Sequence, residues 1–333
     1  MHEAVVENIN MLPKPFLGLK IKTNIRPSNQ PSILINLASK TAFDWQSTLT
    51  FPSRGQYKIG PLVAEATDPF GLFNLQKKLD VAKEVLICPS TVELPFFNLS
   101  SEQNPGSFRY GRELAQSGSL IAGVRDYVMG DSLSRIHWRS TAHRGKLVVK
   151  EYDSESSEKT WLFLDLNKNH IYGTGIETTE EYSITIAASI LKRFCDAGQQ
   201  VGLIAQGGSY YYYPPRTGSP NAWRILEAMA MMKADGQVPL SRLLNRAHEQ
   251  LDQRSIAVVI TACTGEDLTE AVIRTRKRGI QVTTILLDNF SFGGRTTADQ
   301  TAGLLRSLDI PTYVIQKGAN LAEVLNNKTI SVN

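Results

Sequence analysis

The feature that most constrains this chain is a change of pattern near residue 160. From Thr160 onward, short runs rich in Val and Ile alternate with segments of helical period. Trp161 to Leu166, Val201 to Ala205, Ser255 to Thr261, Val282 to Leu287 and Thr312 to Gln316 read as strands. Between and after them, Glu180 to Ala197, Ala222 to Lys233, Leu240 to Leu251, Asp267 to Arg278, Thr297 to Leu308 and Leu321 to Leu325 read as helices. Thr178 or Thr179 can cap the first of these and Gly198 can close it. Strands that are apolar without alternation are buried on both faces, which predicts a mostly parallel central sheet covered by helices on both sides. Tyr210 to Tyr213 reads as a further strand. Alternation exposes two of its four tyrosines, which suits an edge strand or an aromatic contact surface.

The first hundred residues read differently. Phe16 to Ile25, Ser32 to Leu37, Asp44 to Phe51, Gln56 to Ala66 and Leu79 to Cys88 are short apolar or alternating stretches separated by Pro-, Gly- and Asn-containing turns. That spacing predicts an antiparallel β-sandwich of immunoglobulin-like type. A Ser-, Gly-, Asn- and Gln-rich stretch follows, from Ser100 to Gly118. The expected organisation is therefore a sandwich over 1–98, a linker or mobile loop over 99–119, and a third segment joined to the α/β domain over 120–333. A length of 333 residues and an apolar share of 42% suit two or three such units, each with its own core. The acidic run from Asp153 to Glu158 reads as an exposed connection.

Several function classes are disfavoured. The net charge of +4 is too small to imply a nucleic-acid or membrane partner by itself. Cys88, Cys195 and Cys263 follow no metal-ligand spacing and read as reduced core thiols. The start lacks the basic and apolar regions of a signal peptide, and no run is long enough to cross a bilayer, so the chain as given is expected to be soluble and cytoplasmic. No G-x-x-x-x-G-K-[ST], G-x-S-x-G or H-E-x-x-H pattern is present, and the five histidines are scattered. On this ground no catalytic residue is assigned and a non-enzymatic protein is expected.

The most informative stretch runs from Gly123 to Ala142. Gly123, Arg125, Tyr127, Gly130, Asp131, Arg135, Ile136, Trp138 and Ala142 stand at fixed spacings, with a strand from Leu147 to Glu151 behind them. This pattern resembles the signature of the domain-of-unknown-function 58 family. Arg54 to Pro61 and Asp68 to Phe73 are similar to a pair of turns in the sandwich that precedes it in that family. The resemblance implies a von Willebrand A-like α/β domain. Read as residues, Arg125 and Asp131 can pair, and Tyr127 and Trp138 each carry an apolar face with one polar handle. Arg125, Tyr127, Asp131, Arg135, Trp138 and Arg139 thus suit either a structural clasp onto the sheet or an exposed patch for a partner. The basic run from Arg135 to Lys150 also suits a solvated face or a phosphate-binding stripe.

The same resemblance points to a cation loop. Asp165, Asn167 and Asn169 follow the first strand of the α/β region where von Willebrand A domains carry their D-x-S-x-S loop, and amide oxygens can replace hydroxyls around Mg²⁺ or Ca²⁺. The family's further Asp falls at Ala262, and its Thr has only Thr217 or Ser219 as candidates, so such a site would hold a cation poorly. The functional expectation is a non-enzymatic adaptor or chaperone-like interaction protein. The resemblance implies a MoxR-type AAA+ ATPase as its partner in complex assembly, contacted through residues 165–169 and 125–139. The alternatives are a nucleic-acid or polyanion binder using residues 135–150, and a hydrolase whose residues meet only in space. Family members commonly carry two membrane-spanning helices ahead of the sandwich, so a longer form would be membrane-associated.

Overall fold

The computed structural model describes residues 2–25, 31–67, 72–79, 82–97, 99, 121–127, 136–152, 159–252 and 255–327. The N-terminal part contributes strands β1 (His2–Glu7), β2 (Lys14–Thr23), β3 (Ser32–Leu37), β4 (Ala42–Ser47), β5 (Gly55–Thr67), β6 (Asn74–Lys78) and β7 (Lys83–Ile87). Strand β2 lies between β3 and β5, and the two halves of β5 pair separately with β6 and β7, all antiparallel. β1 and β4 form a separate antiparallel ribbon. Residues two apart point to one face of a strand. Leu17, Leu19 and Ile21 of β2 accordingly meet Ile35, Leu37 and Leu62, with Val6 and Trp45 of the ribbon completing one core. Each fully buried side chain of this size stabilises the fold by roughly 1.5–3 kcal/mol. β1 precedes the first stretch that reads as a strand in the sequence, and the stretch expected from Leu79 to Cys88 is covered only from Lys83 to Ile87.

A small unit follows: β8 (Ile121–Asp126), helix α1 (Trp138–Arg144) and β9 (Val148–Tyr152), with β8 and β9 paired as an antiparallel ribbon. Then come β10 (Lys159–Leu164), β11 (Gly173–Thr174), β12 (Glu177–Thr178), α2 (Thr179–Asp196), β13 (Gln200–Gln206), β14 (Tyr210–Arg216), α3 (Ser219–Met231), α4 (Leu240–Arg246), β15 (Ser255–Thr261), α5 (Glu266–Lys277), β16 (Gln281–Leu287), α6 (Asp299–Ser307), β17 (Thr312–Ile315) and α7 (Leu321–Asn326). The helix expected to run to Leu251 ends at Arg246 and passes into a single 3-10 turn.

The six-stranded sheet has the order β14-β13-β10-β15-β16-β17 and is parallel throughout except for the edge strand β14. Alternation along β10 splits its side chains between two cores. Leu162 and Leu164 pack with α2, α3 and α7 on one face. Trp161 and Phe163 pack with α4, α5 and α6 on the other. Every residue of β15 is buried, as a central parallel strand requires. On β14, Tyr210 and Tyr212 are exposed and their rings stack, while Tyr211 and Tyr213 pack against the first core.

Two contacts revise the domain reading. Leu94, Phe97 and Leu99 are buried in the α/β core beside Phe194 and Tyr313, so the chain enters that unit before the boundary expected at 98/99. The backbone there is strapped by Arg193, which donates to Leu94 O at 2.9 Å, and by Thr283, which donates to Leu99 O at 3.0 Å. The rest of the expected linker, 100–119, lies outside the described residues. The β region is pinned to the α/β unit by Arg54, whose guanidinium is 4% exposed. It reaches Glu180, Glu181 and the carbonyls of Met229 and Met232. Among the described residues, no helix is long and apolar enough to cross a membrane.

Candidate functional site

In an open parallel sheet, a crevice forms at the carboxyl ends of the strands where the chain changes its direction of travel. Here that point is β10, with β13 on one side and β15 on the other. Leu164 stands opposite Ile260, so β10 and β15 end together, and the Asp165 amide donates to Ile260 O at 3.0 Å. Asp165 and Thr261 are thereby neighbours, although 96 positions separate them in the chain.

Asp165 has a side chain only 2% exposed, and both of its oxygens are engaged. Oδ1 accepts the Asn167 amide at 3.0 Å. Oδ2 accepts the Thr261 hydroxyl at 2.6 Å and meets His170 Nδ1 at 2.7 Å. Thr261 Oγ1 in turn accepts the Cys263 amide at 2.8 Å, and the Cys263 sulfur accepts the Gly265 amide at 3.5 Å at the start of α5. Burial alone would push the His170 imidazole down. Hydrogen bonding and electrostatic attraction to Asp165 and to Cys263 outweigh it and push its pKa up from 6.5 to about 10. At neutral pH His170 is therefore an imidazolium paired with a buried carboxylate.

The loop that carries this group is fixed by backbone contact. Lys168 N donates to Gly236 O and Gly236 N to Leu166 O, both at 2.9 Å. A Cβ at position 236 would fall 2.9 Å from Leu166 O and closer still to Gln206 O, so only glycine allows the approach. Beyond β16, Asp288 and Asn289 stitch the neighbouring loop: Asp288 Oδ1 accepts Ala298 N at 2.9 Å and Asn289 Oδ1 accepts Thr296 N at 3.0 Å.

The residues expected to hold a cation do not fit one. The oxygens of Asp165 already accept hydrogen bonds, the Asn167 Oδ1 accepts the Asn169 amide at 3.0 Å, and Asn169 itself is exposed. Ala262 offers no carboxylate. Thr217 and Ser219 follow the end of β14, where Arg216 pairs with Val201 at the start of β13, so they stand at the opposite end of the strands from Asp165. Among the described residues, no group of three or more His, Cys, Asp or Glu side chains is arranged to hold a metal ion. Mg²⁺ and Ca²⁺ want several convergent oxygens. This loop instead presents a carboxylate turned toward an imidazole.

The second group of expected residues is only partly within view. Asp131 and Arg135 lie outside the described residues, as does the side chain of Arg125, so the expected Arg125–Asp131 pairing does too. Tyr127 is half-buried and its amide donates to Leu147 O at 3.0 Å. Trp138 is 67% exposed and Arg139 is exposed, so neither clasps the segment to the sheet. Helix α1 has no buried residue. It is held from its ends: His137 Nδ1 accepts Ser140 N at 3.1 Å, and Gly145, at φ 66°, returns its amide to Thr141 O. Ile136, Val148 and Val149 are buried beneath it. Of the basic run, His143, Arg144 and Lys146 are exposed, and Lys146 pairs with Asp126 at 2.6 Å.

Sequence reasoning missed His170, Thr261 and Cys263. Their signal was positional: Thr261 ends one of two strands that prove adjacent, Cys263 follows it by two residues, and His170 lies in the loop after the other.

The family described as "Protein of unknown function DUF58" matches residues 123–290. Uncharacterized protein YeaD of Bacillus subtilis is 25% identical over 219 residues, covering 65% of this chain and 52% of its own length. Uncharacterized protein Rv1480 of Mycobacterium tuberculosis is 26% identical over 148 residues, covering 43% of this chain and 47% of its own. The chain thus spans about half the length of the curated relatives it matches. The crystal structure of conserved hypothetical protein BatB from Bacteroides thetaiotaomicron superposes with a TM-score of 0.36 at 10% identity, covering 51% of this chain and 95% of that one.

Proposed function

This chain belongs to the DUF58 family of proteins of unknown function, and we propose that it is a non-enzymatic adaptor that presents helix α1 to a protein partner. The observation that carries this reading is Trp138, 67% exposed on a helix with no buried residue of its own and flanked by exposed Arg139, His143 and Arg144. Tryptophan and arginine are the side chains most enriched where partner binding energy concentrates. A helix that buries no side chain of its own gains little fold stability from carrying an exposed indole.

A von Willebrand A-like fold for the α/β unit and a β-sandwich for the antiparallel β-sheets ahead of it are part of this proposal, supported by the order β14-β13-β10-β15-β16-β17 and by the β2–β7 pairings. The partner proposed is a MoxR-type AAA+ ATPase, which would supply the nucleotide hydrolysis for complex assembly. The test is co-elution of the purified chain with such an ATPase, repeated with Trp138→Ala. The reading expects a complex of micromolar or tighter affinity that the substitution weakens at least tenfold, the loss of an interfacial residue worth about 2 kcal/mol. Absence of co-elution together with an unchanged ATPase rate would overturn it.

A further inference from the structure

We propose that β14, the edge strand of the six-stranded sheet, docks an acidic segment of a partner protein, which adds to it as a further extended strand with a carboxylate turned to each face. The surface is separate from helix α1 and stands whether or not a partner binds there.

β14 pairs with β13 along one side, and among the described residues no strand pairs with its other side. Alternate residues of an edge strand direct their N–H and C=O groups outward, where another chain can pair with them. Proteins blunt such edges with charges, prolines or bulges. Here Pro214 and Pro215 blunt one half of the strand, and the pairing with β13 is irregular there. The half from Tyr210 to Tyr213 carries neither a proline nor a charge.

Each face of that open half holds a guanidinium. Tyr210 and Tyr213 are three positions apart, so they point to opposite faces. On one face Arg246, the last residue of α4, stands over the Tyr210 ring, 5.3 Å from its centre. On the other, Arg224 of α3 stands over the Tyr213 ring, 5.2 Å from its centre. Both arginines are exposed, as is Arg216 at the end of the strand, and none of the three forms an ion pair with a described carboxylate. Asp235, beside the turn that leads into β14, is engaged by the Gly208 amide at 2.5 Å.

These features specify a guest. A strand laid along β14 alternates its own side chains between the two faces, so acidic residues three positions apart meet Arg246 and Arg224 together. Arginine can hold a carboxylate through two parallel hydrogen bonds. In strand addition the main chain supplies affinity and the alternate side chains supply specificity. A second copy of β14 would bring arginine against arginine, which disfavours self-pairing. The tyrosines also favour a peptide over a nucleic acid, because single strands bind by stacking bases on free ring faces. The Tyr210 ring already stacks on Tyr212, 6.3 Å away with 14° between the planes, and carries Arg246. Tyr212 packs in turn against the buried Trp161 at 5.8 Å.

The experiment measures, by fluorescence anisotropy, binding to the full chain of a labelled ten-residue peptide rich in valine and threonine, with two glutamates three positions apart. The expected affinity is micromolar. Glutamine in place of both glutamates should weaken it at least tenfold, and Arg224→Gln or Arg246→Gln at least threefold. Two further peptides, N-methylated at alternate amides in opposite phases, separate strand addition from charge attraction: one should lose binding and the other keep it. No binding, equal binding of the glutamate and glutamine peptides, or an equal effect of the two methylation patterns would overturn the proposal. So would unchanged binding in both natively folded arginine variants, or tighter binding of a ten-nucleotide thymidine single strand, which would assign the surface to nucleic acid. Where a variant fails to fold, the peptide comparisons on the unsubstituted chain decide.

Discussion

Arg54 offers the most quantitative test of how the two halves of the molecule are joined. Its guanidinium donates to Glu180 at 2.7 Å, to Met232 O at 2.9 Å and, through Nε, to Met229 O at 3.0 Å, and it also pairs with Glu181. Both carbonyls belong to the C-terminal end of α3, where the helix carries partial negative charge. Both glutamates stand in the first turn of α2. One buried cation thus closes two helix ends from a third element, the turn before β5. Breaking a buried ion pair from one side costs about 3–5 kcal/mol. The glutamates are 21% and 24% exposed and can recover some hydration, which favours the lower end of that range. The two helix carbonyls lose hydrogen bonds to a charged donor, each worth about 1.5–3 kcal/mol. A net loss of about 4 kcal/mol is expected for Arg54→Ala in urea denaturation followed by circular dichroism. Arg54→Lys restores a point charge but not the planar fork, and should recover no more than half of it. A loss below about 0.5 kcal/mol for Arg54→Ala would refute the reasoning, since surface substitutions fall within that margin.

Three further outcomes are expected. Gly236→Ala places a methyl 2.9 Å from Leu166 O, and forcing the backbones apart should cost about 1–3 kcal/mol in the same denaturation assay; a neutral result would mean that the loop yields freely. Leu19→Ala removes a fully buried side chain from the β-region core and should cost about 2–5 kcal/mol, whereas Leu34→Ala, 65% exposed on the next strand, should cost almost nothing. Because the folded pKa of His170 is raised above its ordinary 6.5 to about 10, its protonation stabilises the fold fully below pH 6.5 and loses that contribution as pH rises toward 10. The stability gap between the unsubstituted chain and His170→Gln, measured by urea denaturation across pH 6 to 10, should narrow as pH rises; a gap that widens would contradict the assignment.

The parallel sheet was legible because its strands are apolar without alternation. Ser255 to Thr261, expected and found over the same residues, is buried at every position. Helix α2 was legible from its cap, since Thr178 accepts the Glu181 amide as a capping threonine does. The cation loop was ambiguous because Asp, Asn and Asn at alternate positions satisfy two needs alike. They can hold an ion, and they can hold the backbone of a turn. Which need is met depends on what stands opposite Asp165, and that is Thr261 and His170, brought there by strand pairing and by a local 3-10 turn that no period announces. Trp138 was ambiguous for a similar reason, because a large amphipathic side chain serves a clasp or a contact surface equally well until its exposure is known.

The central structural claim is that Asp165 serves an imidazolium and not a cation. It is tested most directly by following the His170 ring nitrogens by NMR across pH, with and without Mg²⁺ or Ca²⁺. The account predicts a ring that stays charged through neutral pH, titrates near pH 10, and is indifferent to either ion. A midpoint near 6.5, or resonances that move on addition of the divalent ion, would contradict it.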